Sequence, residues 1–337
     1  MDLIITGSRG FIGFNFLLEV EKNETFLDQY ETIYLIDNCS LKDENGEIWN
    51  QINYEEFLRR NSEKFVDYFD CFKAMGKNKV DILNFASESH VDDSIVQPFA
   101  LYQKNTSMLS ELISGVGMDK IGTFYHIRTD EEFGMLEKVS DPAFNKDSKL
   151  NPRNPYAASK ASQYLYLKSL QETFGMNVVC FCLANQYGPH QHFSKMIPAT
   201  IKRIQKGEPA LVYGNGLECR EWTYVGDTVK EIADVIFTKR ELKEKNIIAR
   251  KSEYCGPVTE WDIALLDMKR EYFISNPLGF TSNLELVQRI ISIMGKGEIE
   301  FVENRKGHDF AYKLESDFEL ETNLQTGLEE TIEHYLE

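Results

Sequence analysis

Thr6-Gly7-Ser8-Arg9-Gly10-Phe11-Ile12-Gly13 follows a short apolar run at the start of the chain and opens a longer amphipathic run. The first of its glycines permits a tight turn, the second lets the backbone approach a pyrophosphate, and the third allows a helix to pack closely on a strand. A helix that begins here presents free N–H groups and a positive dipole end to the phosphates. The stretch predicts a dinucleotide-binding turn, although its spacing is G-x-x-G-x-x-G and a glycine-rich turn can also be purely structural.

A carboxylate follows at the place where the ribose of a dinucleotide would lie. Asp37 closes the next apolar run, Thr32–Asp37. There it can accept hydrogen bonds from both ribose hydroxyls, and it would repel a 2′-phosphate. Because no arginine follows directly, the pattern favours NAD over NADP. The alternative, that Asp37 is only a turn residue before Asn38, fits the upstream glycine loop less well.

The order of apolar and amphipathic runs predicts the fold class. Strands are predicted at Leu3–Thr6, Thr32–Asp37, Asp81–Ala86, Thr123–Arg128 and Asn177–Leu183, and helices at Phe11–Lys22, Phe99–Gly115 and Pro155–Phe174. This alternation indicates an α/β protein with a parallel, doubly wound sheet of the Rossmann type.

Beyond Gly188 the pattern loosens and indicates a second, smaller α/β domain. Helices are expected at Ser194–Gly207, Thr228–Thr238 and Leu324–Glu337, strands at Leu211–Tyr213 and Tyr272–Ser275, and an exposed charged stretch at Lys239–Lys251. We expect an NAD-binding domain over residues 1–187, with a later strand and helix returning from about 220–240. Residues 188–337 would form the substrate domain.

Tyr156-Ala157-Ala158-Ser159-Lys160 lies near the start of a predicted helix. Four-residue spacing places Tyr156 and Lys160 on one face, one turn apart. A nearby ammonium lowers the pKa of a phenol, which makes Tyr156 a candidate general base. An ordinary surface Tyr/Lys pair would have the same spacing, but the glycine loop and Asp37 favour the catalytic interpretation.

Thr129, Asp130 and Glu131 follow the strand Thr123–Arg128, at the carboxyl end where ligands bind in parallel sheets. Two adjacent carboxylates can divide acid and base work if their environments separate their pKa values. Glu132 continues the acidic run, so a solvated acidic loop is the simpler interpretation of these residues alone.

Composition narrows the partners. The 337 residues carry 54 acidic and 37 basic side chains, for a net charge of −17. Nucleic acid and anionic membranes need a cationic surface, so neither is expected as a partner. The longest late apolar stretch, Val178–Ala184, cannot span a bilayer, and no targeting segment is visible, so the cytoplasm is the expected location. The six scattered cysteines lack metal-ligand spacing, so reduced thiols and no metal are expected.

Several longer stretches resemble the extended short-chain dehydrogenase/reductase family and, within it, the dTDP-glucose 4,6-dehydratases. The matching stretches are Ala86-Ser87-Glu88-Ser89-His90-Val91-Asp92-Asp93-Ser94-Ile95, Arg128-Thr129-Asp130-Glu131-Glu132-Phe133-Gly134, Asn185-Gln186-Tyr187-Gly188-Pro189-His190-Gln191, Lys195-Met196-Ile197-Pro198, Arg220-Glu221-Trp222 and Arg305-Lys306-Gly307-His308-Asp309. The resemblance implies an NAD-dependent lyase of deoxysugar biosynthesis that converts a nucleoside-diphosphate hexose, dTDP-glucose first among them, to its 4-keto-6-deoxy product. It also implies a homodimer.

The resemblance further implies a role for each site residue. Tyr156 takes the sugar 4-hydroxyl proton, Lys160 tunes it, and Thr129 holds the 4-oxygen. Glu131 removes the C5 proton and Asp130 protonates the departing 6-hydroxyl. Cofactor contacts are expected from Gly7, Gly10, Phe11, Ile12, Gly13, Asp37, Ala86, Tyr156 and Lys160, and substrate contacts from Ser89, Asn185, Lys195, Arg220, Asn283 and Arg305.

The chain departs from the dehydratase pattern at three residues and in one motif. Arg128, Glu132 and Phe133 stand where the pattern has Ser, Val and Tyr. The acidic-Ile motif that flanks adenine is not evident in residues 48–75. The open alternatives are a C4 epimerase or a UDP-glucuronate decarboxylase, neither of which needs both carboxylates, and a non-catalytic dinucleotide-binding regulator.

Overall fold

The computed structural model describes residues 1–67, 79–251, 270–304 and 308–337. Arg305, a predicted substrate contact, lies outside the described residues, as do two of the six cysteines, Cys71 and Cys255. The other four cysteines, Cys39, Cys180, Cys182 and Cys219, carry free thiols. Within the described ranges, no helix is long and apolar enough to cross a membrane.

A seven-stranded parallel sheet forms the centre of the fold, in the order β3-β2-β1-β4-β5-β6-β10. Its strands are β1 Asp2–Thr6, β2 Ile33–Ile36, β3 Phe65–Asp67, β4 Val80–Asn84, β5 Ile121–Thr129, β6 Val178–Leu183 and β10 Glu271–Ile274. All residues of β1, β4 and β6 are buried, because helices cover both faces of the sheet and leave no solvated side. The predicted α/β fold with a parallel sheet is confirmed.

Ten α-helices lie within the described residues. They are α1 Phe11–Val20, α2 Glu24–Leu27, α3 Gln51–Asn61, α4 Val91–Val96, α5 Pro98–Val116, α6 Pro155–Phe174, α7 Met196–Gln205, α8 Val225–Lys251, α9 Asn283–Met294 and α10 Leu324–Leu336. One apolar core joins α1 and α8 to one face of the sheet, through residues such as Phe14, Leu17 and Ile232. A second core joins α5 and α6 to the opposite face, through residues such as Leu109 and Leu167.

A smaller body of structure follows β6. It contains a three-stranded sheet of β7 Asn185–Tyr187, β9 Cys219–Tyr224 and β11 Phe280–Ser282, and a two-stranded sheet of β8 Ala210–Tyr213 and β12 Ile299–Val302. Helices α7, α9 and α10 share a separate apolar core with these strands. The helix that was predicted, from about residues 220–240, to return to the NAD-binding domain is α8. The strand that rejoins the main sheet is β10, whereas β9 pairs in the small sheet.

Some elements differ from the sequence prediction. The charged stretch Lys239–Lys251 continues α8, so this helix is longer than the predicted Thr228–Thr238. Helix α3 was not predicted because only Tyr54 and Phe57 are buried among its 11 residues, too few to produce a clear period. Helix α9 was also missed, although Ser282 and Glu285 form a capping box at its start.

Candidate active site

The glycine loop joins β1 to α1 in a conformation that side chains would disrupt. Gly7 has a φ of 69°, and a Cβ there would lie 2.7 Å from the backbone nitrogen of Ala86. A Cβ on Gly13 would lie 2.2 Å from the Gly7 carbonyl oxygen. Gly10 is the N-cap of α1, with no side chain between the helix N-terminus and the cleft above it. These residues fit a bound pyrophosphate, which needs bare backbone at a helix N-terminus.

Asp37 lies beside this loop at the end of β2. Its carboxylate accepts hydrogen bonds from the backbone nitrogens of Arg9 at 3.1 Å and Cys39 at 2.8 Å. Burial raises the pKa of Asp37, and these two hydrogen bonds oppose that rise. Each oxygen keeps a second lone pair, so the carboxylate can also accept from a ribose hydroxyl.

Strand β3 supplies an acid that the sequence did not reveal. Strand β3 ends at Asp67, whose carboxylate accepts from Arg9 at 2.9 Å and from the Tyr54 hydroxyl at 3.2 Å. The Arg9 guanidinium also lies 4.1 Å from the centre of the Tyr54 ring. An acid therefore ends the strand in this region, as in the motif that flanks adenine. The motif has isoleucine after the acid, whereas here valine precedes Asp67.

A single cleft of about 610 Å³ unites the predicted cofactor residues. It is lined by Gly7, Gly10, Phe11, Ile12, Gly13, Asp37, Ala86, Tyr156 and Lys160, together with the predicted substrate residues Ser89 and Lys195. Residues that are far apart in the sequence thus meet at the carboxyl ends of the parallel strands, where ligands bind in this architecture.

Tyr156 and Lys160 enter the cleft from the first turns of α6. This helix begins after Asn154, whose side chain accepts from the Ala157 nitrogen at 2.8 Å, and Pro155 occupies its first position. Lys160 is buried and Tyr156 is half-buried. Thr129, the last residue of β5, lies near the Tyr156 phenol and opposes the rise of its pKa. The structure therefore brings Thr129 and the Tyr/Lys pair together.

The pKa of Tyr156 is raised, and not lowered as the nearby Lys160 ammonium led us to expect. Burial raises the pKa of Tyr156, and the carboxylates of Glu131, Glu132 and Asp130 raise it further. These acids come from the turn after β5, which places three carboxyl groups beside the phenol. Burial also lowers the pKa of Lys160 to about 8, with Glu132 as the largest opposing influence.

The carboxyl groups of Asp130 and Glu131 occupy different environments. Burial raises the pKa of Asp130 to about 8, and Glu131 and Glu221 add to the rise. Burial also raises the pKa of Glu131, but a 2.8 Å hydrogen bond from Asn154 and the positive charge of Arg220 oppose it. Asp130 is thus held in its acid form near neutral pH, while Glu131 has partners that stabilise its anion.

The predicted phosphate ligands flank these acids. Lys195 donates to the Ser89 carbonyl oxygen at 2.9 Å, and its charge acts on Glu131. Arg220 is buried, donates to the backbone carbonyls of Cys219 at 2.8 Å and Asp309 at 2.9 Å, and its charge acts on Asp130 and Glu131. Arg220 therefore has a structural role as well as a charge at the site.

Two other predicted substrate residues, like Thr129, Asp130, Glu131 and Arg220, do not line the cleft itself. Asn185 begins β7, and Asn283 begins α9, where its backbone nitrogen donates to the Glu218 carbonyl oxygen at 2.9 Å. Neither is among the described residues that line the cleft. Sequence reasoning missed the contacts of Asn154 and Glu221 with the acids. The sequence Asn154-Pro155 indicates a helix start, which places Asn154 at the N-cap of α6. Only the fold shows that β9 brings Glu221 near Asp130.

Known proteins share this architecture along the whole chain. Residues 4–274 match the family model described as GDP-mannose 4,6 dehydratase. The low-salt glycan biosynthesis protein Agl12 of Haloferax volcanii is 31% identical, over 100% of this chain and 99% of that protein. The dTDP-glucose 4,6-dehydratase of Streptomyces niveus is 27% identical, over 99% of this chain and 93% of that protein.

A solved structure agrees with these relatives. The dTDP-glucose 4,6-dehydratase of Bacillus anthracis, crystallised with NAD, is 25% identical, with a TM-score of 0.75 over 100% of this chain and 96% of that one. The resemblance to the extended short-chain dehydrogenases/reductases drawn from the motifs is thereby confirmed. The chain belongs to the GDP-mannose 4,6 dehydratase family.

Proposed function

We propose that this protein is a nucleotide-sugar 4,6-dehydratase that converts a nucleoside-diphosphate hexose to the 4-keto-6-deoxyhexose, with dTDP-glucose as the first substrate to test. The relatives named for this reaction support the proposal. The observation that carries it is the pair of a buried Asp130, held as an acid, and a half-buried Glu131, whose anion has stabilising partners, beside Thr129 and Tyr156.

NAD is the cofactor. When bound, it supplies a hydride acceptor that becomes the donor later in the same cycle, so no external reductant is needed. The glycine loop and Asp37 would hold its pyrophosphate and ribose. The chain's own contribution begins with Tyr156, which takes the proton of the sugar 4-hydroxyl while Thr129 holds the 4-oxygen. Because neighbouring carboxylates raise the pKa of Tyr156, the positive charge of Lys160 is needed beside it.

The carboxylates then carry out the elimination. A 4-keto group acidifies the C5 proton, and Glu131 is placed to remove it. Asp130 delivers a proton to the departing 6-oxygen, a role that requires the acid form in which burial holds it. Lys195 and Arg220 would neutralise the diphosphate of the substrate. Ser89, Asn185, Asn283 and Arg305 remain further predicted contacts.

The experiment that tests the proposal is a substrate screen. Purified protein is incubated with dTDP-, UDP-, GDP- and CDP-hexoses, and the products are examined for loss of one water by mass and for the alkali-induced absorbance of a 4-keto sugar. An unchanged mass with inverted C4 would support the epimerase instead, and loss of carbon dioxide from UDP-glucuronate the decarboxylase. Failure to alter any of these sugars while binding NAD would favour the regulatory protein.

The assembly and organisation are also proposals. Helices α5 and α6 expose large apolar side chains on neighbouring surfaces: Phe99 is 87% exposed, Tyr102 41%, Leu165 55% and Tyr166 40%. A second copy of the chain that packs on these helices would cover them, which supports a homodimer. We further propose that residues 1–187, with α8 and β10, bind NAD, and that the remainder of 188–337 binds the sugar nucleotide in a cytoplasmic enzyme.

A further inference from the structure

A buried ion pair joins the residues on either side of Thr129, Asp130 and Glu131. Arg128 and Glu132, whose side chains are 2% and 0% exposed, are joined by a 3.0 Å contact between Nε and Oε2. Arg128 also contacts Glu271 of β10 at 3.0 Å and lies 3.4 Å from the centre of the Tyr164 ring. Dehydration of two charges is costly, and the pattern that this chain resembles has Ser and Val at these positions. The pair therefore calls for an explanation beyond packing.

The second oxygen of Glu132 contacts the backbone of the catalytic turn. It accepts from the Thr129 nitrogen at 3.4 Å, while the Thr129 side chain accepts from the Glu132 nitrogen, which completes a capping box. This reciprocal contact closes the short turn Asp130–Phe133. Movement of Glu132 would thus move Thr129 and the two acids that follow it.

Glu132 also acts on Lys160 of α6, the helix that contacts this turn. Its carboxylate is the largest influence that favours the Lys160 ammonium against burial, and the Arg128 charge acts in the opposite direction. Three other groups near Lys160 are neutral, because burial raises the pKa values of the Cys180 and Cys182 thiols and lowers the pKa of His126. The Tyr156 phenol keeps its proton as well, because burial raises its pKa. Glu132 is thus the charge that favours the ammonium.

We propose that Glu132 is a positioning residue for the oxidation step: it fixes Thr129 through the capping contact and keeps Lys160 charged, and Arg128 holds Glu132 in place. The inference rests on the proposed roles of Tyr156 and Lys160. It assigns a function to two residues at which the chain departs from the dehydratase pattern.

The test compares Glu132→Gln with the wild-type holoenzyme. Gln keeps the size and an oxygen that can accept from Thr129, but it removes the charge. The rate of transient NADH formation is measured in single turnovers across the pH range around 8, with dTDP-glucose or the hexose nucleotide turned over in the substrate screen. Without the negative charge Lys160 loses its proton more readily. The alkaline limb of the pH profile, where the rate falls, should therefore begin at a pH about one unit lower than in the wild type. The plateau rate should drop about 10-fold with little change in KM.

Two further variants separate charge from packing. Arg128→Met combined with Glu132→Gln removes both opposing charges, so its pH limb should lie closer to the wild type than that of Glu132→Gln alone. Glu271→Gln is the matched control, because it removes the other partner of Arg128 and should leave the limb unchanged. Melting temperature and NAD content are recorded for each variant.

A Glu132→Gln enzyme with the wild-type limb and rate would overturn the inference. So would loss of rate in all variants in proportion to lost melting temperature, with no change of limb, because packing would then be the whole effect. Lys160→Met distinguishes the underlying proposal: if it still oxidises the sugar, both the role of Lys160 and the inference fail. If it is inactive while Glu132→Gln behaves as wild type, the inference alone fails.

Discussion

Replacement of Glu221 by Gln should shift the pH dependence of water elimination without removing any group that touches the sugar. Glu221 lies on β9, where its carboxylate accepts from the Leu314 nitrogen at 2.7 Å, and Gln can preserve that contact. Burial raises the pKa of Glu221 to about 7. Its charge in turn is one of the causes, after burial and Glu131, that raise the pKa of Asp130 to about 8.

The size of the effect follows from the acid form of Asp130. With a pKa of about 8, roughly three quarters of Asp130 is protonated at about pH 7.5. If the loss of one neighbouring negative charge lowers that pKa by about one unit, roughly one quarter remains protonated. Elimination should then slow about threefold near pH 7.5 and stay unchanged near pH 6, where Asp130 is protonated in both enzymes.

The assay is the rate of water loss, followed by product mass in quenched single turnovers across this pH range. The alkaline limb should move to lower pH in Glu221→Gln, while transient NADH formation keeps its wild-type profile because oxidation precedes elimination. Glu300→Gln, on an exposed position of β12, is the control for charge alone. An unmoved limb, or an equal loss of rate at every pH, would refute the assignment of Asp130 as the acid tuned by Glu221.

Three other changes test the remaining parts of the site and the assembly. Glu131→Gln should block elimination while transient NADH still forms, and normal dehydration would remove Glu131 from its role as the base. Asp37→Ala should weaken NAD binding by about 2 kcal/mol through the loss of charged hydrogen bonds to the ribose, as measured by calorimetry, and unchanged affinity would contradict that contact. Phe99→Glu with Leu165→Glu should convert a dimer to monomers in light scattering, whereas a persisting dimer would place the interface elsewhere.

Much of the fold could be predicted because its central strands are buried on both faces. Such strands are continuous apolar runs, and the glycine loop and Asp37 locate the cofactor cleft between two of them. The local spacing of Tyr156 and Lys160 also survives folding, since both lie on one helix face. The sequence therefore shows patterns that repeat at short range. These are the continuous apolar residues of a buried strand and the one-turn spacing of residues on a helix face.

Contacts between distant segments could not be predicted in the same way. Arg128 is four residues from its first carboxylate partner, Glu132, yet its second partner, Glu271, is 143 residues away and comes from the strand that returns to the sheet. The predicted lowering of the Tyr156 pKa was wrong for a similar reason, because local spacing showed the ammonium of Lys160 but neither the burial of the phenol nor the carboxylates that the turn after β5 brings beside it.

Three consecutive carboxylates show how the fold gives different properties to one residue type. As a sequence, Asp130-Glu131-Glu132 is most simply a solvated acidic loop. In the folded chain Asp130 is near Glu221 and is held as an acid, Glu131 accepts from Asn154, and Glu132 is paired with Arg128. Because a single short turn carries all three, a change at one of them should alter the protonation of the others. Their pH profiles are therefore more informative than activity at one pH, since only the profiles distinguish loss of an acid from displacement of the turn.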